Sequence, residues 1–153
     1  MARASHIMIV EAPYYAHIAA ALAKGALAVL DEAGATYQRF AVPGAFEIPA
    51  AIRFAATAAE RGVGPRFDGY VALGCVIRGE TTHYQHVCEE CARGVQALAI
   101  EHGLAIGFGV LTVENEAQAL ARSRVGQRDK GGEAARACLA MIALKRSLGL
   151  GPQ

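Results

Sequence analysis

The chain has 153 residues, 54% of them hydrophobic and 19% charged, with a formal net charge of +1. That length favours one domain over residues 1–153 with a single core, and the composition carries no mark of disorder. No basic block argues for nucleic acid or an anionic membrane surface, and no apolar run approaches the roughly 20 residues that span a bilayer.

The opening stretch Met1-Ala2-Arg3-Ala4-Ser5-His6 is too short and polar for a signal peptide. The expected compartment is the cytoplasm, where thiols stay reduced. Residues 7–10 are a short apolar strand, followed by a loop over 11–15 that carries Tyr14 and Tyr15. Ile18, Leu22, Ala26, Val29 and Leu30 then mark one face of a helix that ends near Gly34. Residues 36–42 form a second strand, and Pro43-Gly44 signals a turn. A second helix is expected over 47–61, with Pro49 tolerated in its first turn, and residues 62–65 end it.

Residues 70–77 are a continuous apolar run, as in a strand buried on both faces. The run breaks at 78–82, after which Tyr84, Val87, Cys88, Cys91, Val95 and Leu98 recur at helical spacing. Residues 104–113 form a fourth strand. Asn115 and Gln118 resemble a capping box and start a short helix that ends near Arg124. A polar linker over 125–129 leads to a last helix from about Lys130 to Leu148, with Ala134, Cys138, Met141, Leu144 and Leu148 on one side. Strands alternate with helices throughout. The expected fold is α/β: a three-layer α/β/α sandwich of the flavodoxin-like kind, with a parallel sheet of about four strands and helices on both faces.

Chemistry concentrates where strands meet helices, since open α/β sheets place ligands at the carboxyl ends of their strands. After the third strand, Thr81, Thr82 and His83 stand at a helix start, where free N–H groups and the helix dipole favour an anion. His83 is also a natural proton-transfer group near neutral pH. After the second strand come Phe46 and Glu47, which together suit binding and covering a polyhydroxyl chain. After the first come Tyr14 and Tyr15, either of which is suited to stack on a flat heterocycle. Arg122 and Lys130 flank the polar linker and suit phosphate contacts. Taken singly, each has a plain explanation as a cap, a core residue or a solvated charge.

His83, His86, Cys88 and Cys91 are zinc-ligand types, but helical phase turns His86 and Cys88 to different sides, so no metal site is expected. The C-x-x-C pair does not sit at a helix start after a strand, which argues against thioredoxin-like redox chemistry. Cys75 and Cys138 read as small buried hydrophobes.

Three motifs, VPGAFEIP, LGCVIRGETTHY and FGVLTVENEAQALAR, in this order, resemble the lumazine synthase family over about residues 7–148. The resemblance implies an enzyme that condenses 5-amino-6-(ribitylamino)uracil with 3,4-dihydroxy-2-butanone 4-phosphate. The products are 6,7-dimethyl-8-ribityllumazine, phosphate and water, in the penultimate step of riboflavin biosynthesis. It implies no metal and no organic cofactor. By the same resemblance, His83 is the proton-transfer residue and Tyr14 stacks on the pyrimidine. Ala45, Phe46 and Glu47 hold the ribityl chain, and Cys75, Val76 and Ile77 offer backbone contacts to the pyrimidine. Glu80 and Thr81 surround the phosphate, with Arg122 as its arginine partner. Phe108 and Lys130 match pocket residues that the family draws from a neighbouring subunit, so a homo-oligomer is implied, a pentamer with active sites between subunits.

Two features depart from the family pattern. Tyr15 stands where asparagine is frequent, and the linker is bulkier and more charged than the Gly-, Ala- and Asn-rich version of shell-forming members. The departure at the linker points to a free pentamer. A non-catalytic flavin- or lumazine-binding paralogue on the same scaffold is the alternative, but it needs neither His83 nor Arg122. A flavodoxin-type electron carrier is disfavoured because Pro13-Tyr14-Tyr15 is a poor phosphate cradle.

Overall fold

The structure is a computed structural model that describes residues 3–151. Met1 and Ala2 of the polar opening stretch, and Pro152 and Gln153 at the far end of the expected domain, lie outside the described residues. The strands are β1 (His6–Ala12), β2 (Thr36–Ala41), β3 (Gly69–Ile77) and β4 (Ile106–Val113). The helices are α1 (Ala16–Glu32), α2 (Ile48–Glu60), α3 (His83–His102), α4 (Glu116–Ser123) and α5 (Lys130–Ser147). A single 3-10 turn over Ala45–Glu47 leads into α2, so the helix begins one residue later than its sequence suggests.

All three strand pairings are parallel, and the order is β2-β1-β3-β4. Helices cover both faces, which gives the three-layer sandwich. Ile7, Ile9, Val71 and Leu73 point to the face carrying α1, α4 and α5, with Leu22, Leu30, Cys138 and Ile142 packed on them. Met8, Val10, Tyr70 and Ala72 point to the other face, against Ile48, Ile52, Cys91 and Val95 of α2 and α3. Burying each such side chain stabilises the fold by about 1.5–3 kcal/mol. Among the described residues, no helix is long and apolar enough to cross a membrane.

The capping expectation for α4 holds with a small shift. Asn115 Oδ1 accepts from the N–H of Gln118 at 2.9 Å, and Gln118 Oε1 reaches back to the N–H of Glu114 at 2.8 Å, one residue before the cap. The reading of α5 needs correction. Ala134 and Cys138 are buried, but Met141, Leu144 and Leu148 are exposed. The helix turns Gly131, Gly132, Ala135 and Ile142 inward instead. The cause is close approach. A Cβ on Gly107 would overlap the carbonyl oxygen of Ala134, and one on Gly131 would overlap the carbonyl oxygen of Leu22. Small residues, not large apolar ones, form the seam.

The linker 125–129 is wound tight: Arg128 N–H donates to Ala121 O at 3.1 Å, and Asp129 N–H donates to Arg124 O at 3.1 Å. Asp129 caps α5 from the left-handed region, with φ 44°, and its side chain accepts from the N–H of Gly132 at 3.1 Å. Gly25 of α1 leaves the space that this carboxylate occupies.

Gly107→Ala is expected to cost about 1–3 kcal/mol or more, because overpacking a seam against backbone cannot be relieved by a rotamer change. Gly126→Ala, in open space with no positive φ, is expected to be neutral or to stabilise by up to about 1 kcal/mol. Urea midpoints of the two variants check this; equal midpoints would contradict the close approach of α5 to β4.

Candidate active site

The carboxyl ends of β1, β2 and β3 open into one cleft of about 580 Å³. Its wall takes Tyr14 and Tyr15 from the β1–α1 loop, residues 43–47 from the β2–α2 connection, and Cys75, Val76 and Ile77 from the end of β3. Gly79 and Thr81 complete it from the β3–α3 loop, with His83, Tyr84 and Val87 from α3. Each contributor lies where a strand gives way to a helix. Parallel pairing brings those ends together although they are far apart in the chain.

Most of the sequence-predicted residues therefore converge here. Tyr14, Ala45, Phe46, Glu47, Cys75, Val76, Ile77, Thr81 and His83 all line this cleft. Glu80 is on the same loop but does not line it. The first turn of α3 faces the loop without a side-chain cap: Thr82 occupies the cap position and makes no capping bond. Thr81 Oγ1 accepts from the N–H of His83 at 3.3 Å. The helix start thus keeps N–H groups available to an anion.

Phe108, Arg122 and Lys130 are not in that cleft. They line a second one of about 290 Å³, along the outer edge of β4 beside α4 and α5. Arg122 is half-buried there; its Nη1 donates to Gln118 O at 3.2 Å, and it pairs with no carboxylate among the described residues. Lys130 Nζ donates to Glu133 Oε2 at 3.0 Å. β2 and β4 are the two edges of the sheet.

Residues 4–146 match the family model for 6,7-dimethyl-8-ribityllumazine synthase. The chain belongs to the lumazine synthase family. A lumazine synthase of Paramagnetospirillum magneticum is 54% identical over 145 residues, covering 94% of this chain and 97% of its own. One of Sphingopyxis alaskensis is 54% identical over 147 residues, covering 96% and 99%. The 6,7-dimethyl-8-ribityllumazine synthase 1 of Rhizobium meliloti is 56% identical over 144 residues, covering 94% of both chains. The three motifs quoted above, including His83 and Arg122, all fall inside the span matched to the lumazine synthase model.

The local chemistry of the cleft is that of a stacking and hydrogen-bonding surface. Tyr14 is 77% exposed and Phe46 55% exposed, so two aromatic rings stand open to whatever enters. Tyr15 is half-buried and meets Tyr14 edge to face, with centroids 4.9 Å apart and planes at 78°. Burial, with the nearby Cys75 and Tyr14 adding to it, pushes the Tyr15 phenol up from its ordinary value. Burial also pushes the Cys75 thiol up to about 11. Cys75 is therefore a protonated thiol at neutral pH, which disqualifies it as a nucleophile.

Cys91 is buried in the α3 face of the core, with its thiol pushed up to about 12 by burial. His86 is exposed, so the two potential zinc ligands point to different environments. Among the described residues, no three His, Cys, Asp or Glu side chains gather as a metal-holding group.

The sequence reading did not single out Gly79, Tyr84, Val87 or the Pro43-Gly44 turn as parts of the wall. Val87 is core as its spacing says and also reaches the cleft, whereas Tyr84 is only half-buried, because helical periodicity cannot tell a residue facing the sheet from one facing its open end.

Proposed function

We propose that this chain catalyses condensation of 5-amino-6-(ribitylamino)uracil with 3,4-dihydroxy-2-butanone 4-phosphate to give 6,7-dimethyl-8-ribityllumazine, phosphate and water. Membership of the family supports the reaction. The observation that carries the assignment to residues is the convergence of Tyr14, residues 45–47, residues 75–77, Thr81 and His83 on one cleft.

The chemistry suits that wall. The 5-amino group attacks the ketone, and water leaves to form an imine. A proton and phosphate then depart. The ribitylamino nitrogen closes the ring on the carbonyl that results, and water leaves again. Each step moves a proton and none needs a nucleophile from the protein. The substrates carry the reactive groups, so the reaction calls for neither metal nor organic cofactor. The enzyme has to hold two molecules in register, shuttle protons and receive phosphate.

In this reading Tyr14 stacks on the pyrimidine, and backbone groups of Cys75, Val76 and Ile77 bond its edge. Ala45, Phe46 and Glu47 hold the ribityl chain. His83 shuttles protons beside a phosphate site formed by Glu80, Thr81 and the open start of α3. Arg122 supplies the bidentate cation to that phosphate, and Phe108 and Lys130 close the pocket.

The last three residues line the other cleft, so the complete site takes them from a second copy of the chain, its β4 edge laid against the first cleft. The exposure of Tyr14, Phe46 and Phe108 supports this, since each ring lacks a cover within one chain. The assembly proposed is a ring of five. The linker 125–129 exposes Gln127 and Arg128, which are costly to bury between rings, so the ring stays free. Four free cysteines suit a reducing cytoplasm.

Purified protein mixed with both substrates is expected to raise lumazine absorbance well above the spontaneous rate. His83→Ala is expected to lower turnover about tenfold or more without abolishing it, because general acid–base groups give about 10²–10⁴-fold and the substrates also react unaided. An unchanged turnover number would remove His83 from the proton path.

Arg122→Ala is expected to raise the KM for the butanone phosphate much more than that for the pyrimidine. Arg122→Lys should restore only part, since the planar fork is lost. Steady-state kinetics with each substrate varied in turn separates these, and equal effects on both KM values would reject the phosphate contact.

Light scattering on the eluting peak is expected to give about 80 kDa, five chains of 16.0 kDa in a closed ring. A particle near 1 MDa would replace the free ring with a shell, and a 16.0 kDa active species would refute the shared site.

A further inference from the structure

Within a single chain, the loop that carries Thr81 and leads into His83 has little to hold it. Residues 79–83 are all exposed, and a Cβ on Gly79 would meet nothing within 4 Å. Within the loop, the His83 N–H to Thr81 Oγ1 bond is long, at 3.3 Å. Proton transfer and phosphate capture nevertheless require placement within a fraction of an ångström. Something beside the loop has to fix it.

Arg78 stands at its entrance. Its backbone N–H donates to Val113 O at 2.9 Å, one step beyond the last register pair of β3 and β4, Ile77 with Val113. Its side chain then folds back over the exit of the loop: the guanidinium carbon lies 4.5 Å from the centre of the Tyr84 ring, in the first turn of α3. Its Nε donates to Glu114 Oε2 at 2.7 Å. Glu114 is held in turn by its own N–H to Gln118 Oε1 at 2.8 Å, at the start of α4. One side chain therefore ties together the entrance of the loop, its exit and the β4–α4 corner.

We propose that Arg78 is a positioning residue: through Tyr84 and Glu114 it fixes the 79–83 loop and holds the His83 imidazole at the cleft. This inference rests on the reaction proposed above. Arg78 does not line the cleft itself. Its ion pair with Glu114 is largely exposed, at 41% and 55% side-chain accessibility. Such pairs and exposed cation–π contacts add little to overall stability. The consequence of losing Arg78 is thus local: the loop loosens while the sheet stands. The same contact links the loop to α4, the helix that carries Arg122, so the two clefts of one chain share a common anchor.

Hydrogen–deuterium exchange by mass spectrometry and steady-state kinetics on wild type, Arg78→Met, Arg78→Lys and Glu114→Gln test this. In Arg78→Met, amides over 79–84 are expected to exchange about tenfold faster or more, with β3 and α5 unchanged and the melting temperature nearly unmoved. Its KM for the butanone phosphate is expected to rise about tenfold while that for the pyrimidine stays within about twofold, since the loop and not the stacking wall has been displaced. Arg78→Lys is expected to recover part of both effects, keeping the cation over the ring but losing the Nε bond. Arg78→Met/Glu114→Gln is expected to be no worse than Arg78→Met alone, as for residues acting as one unit. If Arg78→Met does not fold, Arg78→Lys and Glu114→Gln carry the same comparison at smaller amplitude.

Unchanged exchange over 79–84 overturns the proposal. A raised KM with unchanged exchange does too, because it makes Arg78 a direct substrate contact. So does faster exchange with wild-type kinetics, which makes the clamp merely structural. If the wild type forms no lumazine above the spontaneous rate, the proposed reaction falls on its own account. The exchange comparison then still decides whether Arg78 orders the loop.

Discussion

The architecture depends on how closely α5 can lie on the sheet. Gly69, Gly107 and Gly109 leave bare backbone on β3 and β4, and Cys138, Ile142 and Ala134 fill the space where side chains would have stood. Gly131 does the same where α5 crosses α1 beneath the carbonyl of Leu22. Protein interiors tolerate few voids and little overlap. With these positions free of side chains, the helix can lie directly on the backbone of the sheet. That places Lys130 at the start of α5 beside Phe108 on β4, and leaves Arg122 on the short helix just before it.

From this seam the two clefts follow. Parallel pairing aligns the carboxyl ends of β1, β2 and β3 and gathers loops that are distant in sequence. Because β4 is an edge strand, the residues on its flank belong to the surface and not to the first cleft. One chain therefore carries an aromatic wall with His83 in one place and a wall with Arg122 and Lys130 in another. The Arg78 contacts run between the corresponding loops and join the two without enlarging the core.

Much of this was legible in the sequence. The buried run before Ile77, the break at 78–82 and the helical recurrence from Tyr84 together mark strand, loop and helix at nearly their observed limits. His83 at the helix start and the 45–47 segment follow from the rule that ligands sit at strand ends. Two things were not legible. The inward face of α5 is mostly Gly and Ala, with only Cys138 and Ile142 larger, which gives weak hydrophobic periodicity, so the larger Met141, Leu144 and Leu148 draw the stripe to the wrong side. The separation of Phe108, Arg122 and Lys130 from His83 is a matter of strand order, which residue spacing does not encode. The family resemblance associates Phe108 and Lys130 with a neighbouring chain, and it does not do so for Arg122.

In the assembly proposed above, the open rings of Tyr14, Phe46 and Phe108 stay bare until a second copy covers them. A chain newly released from the ribosome carries these adhesive surfaces with a net charge of only +1. So small a charge offers little colloidal repulsion between copies. Correct docking and indiscriminate clumping then draw on the same surfaces, and both speed up as subunits accumulate.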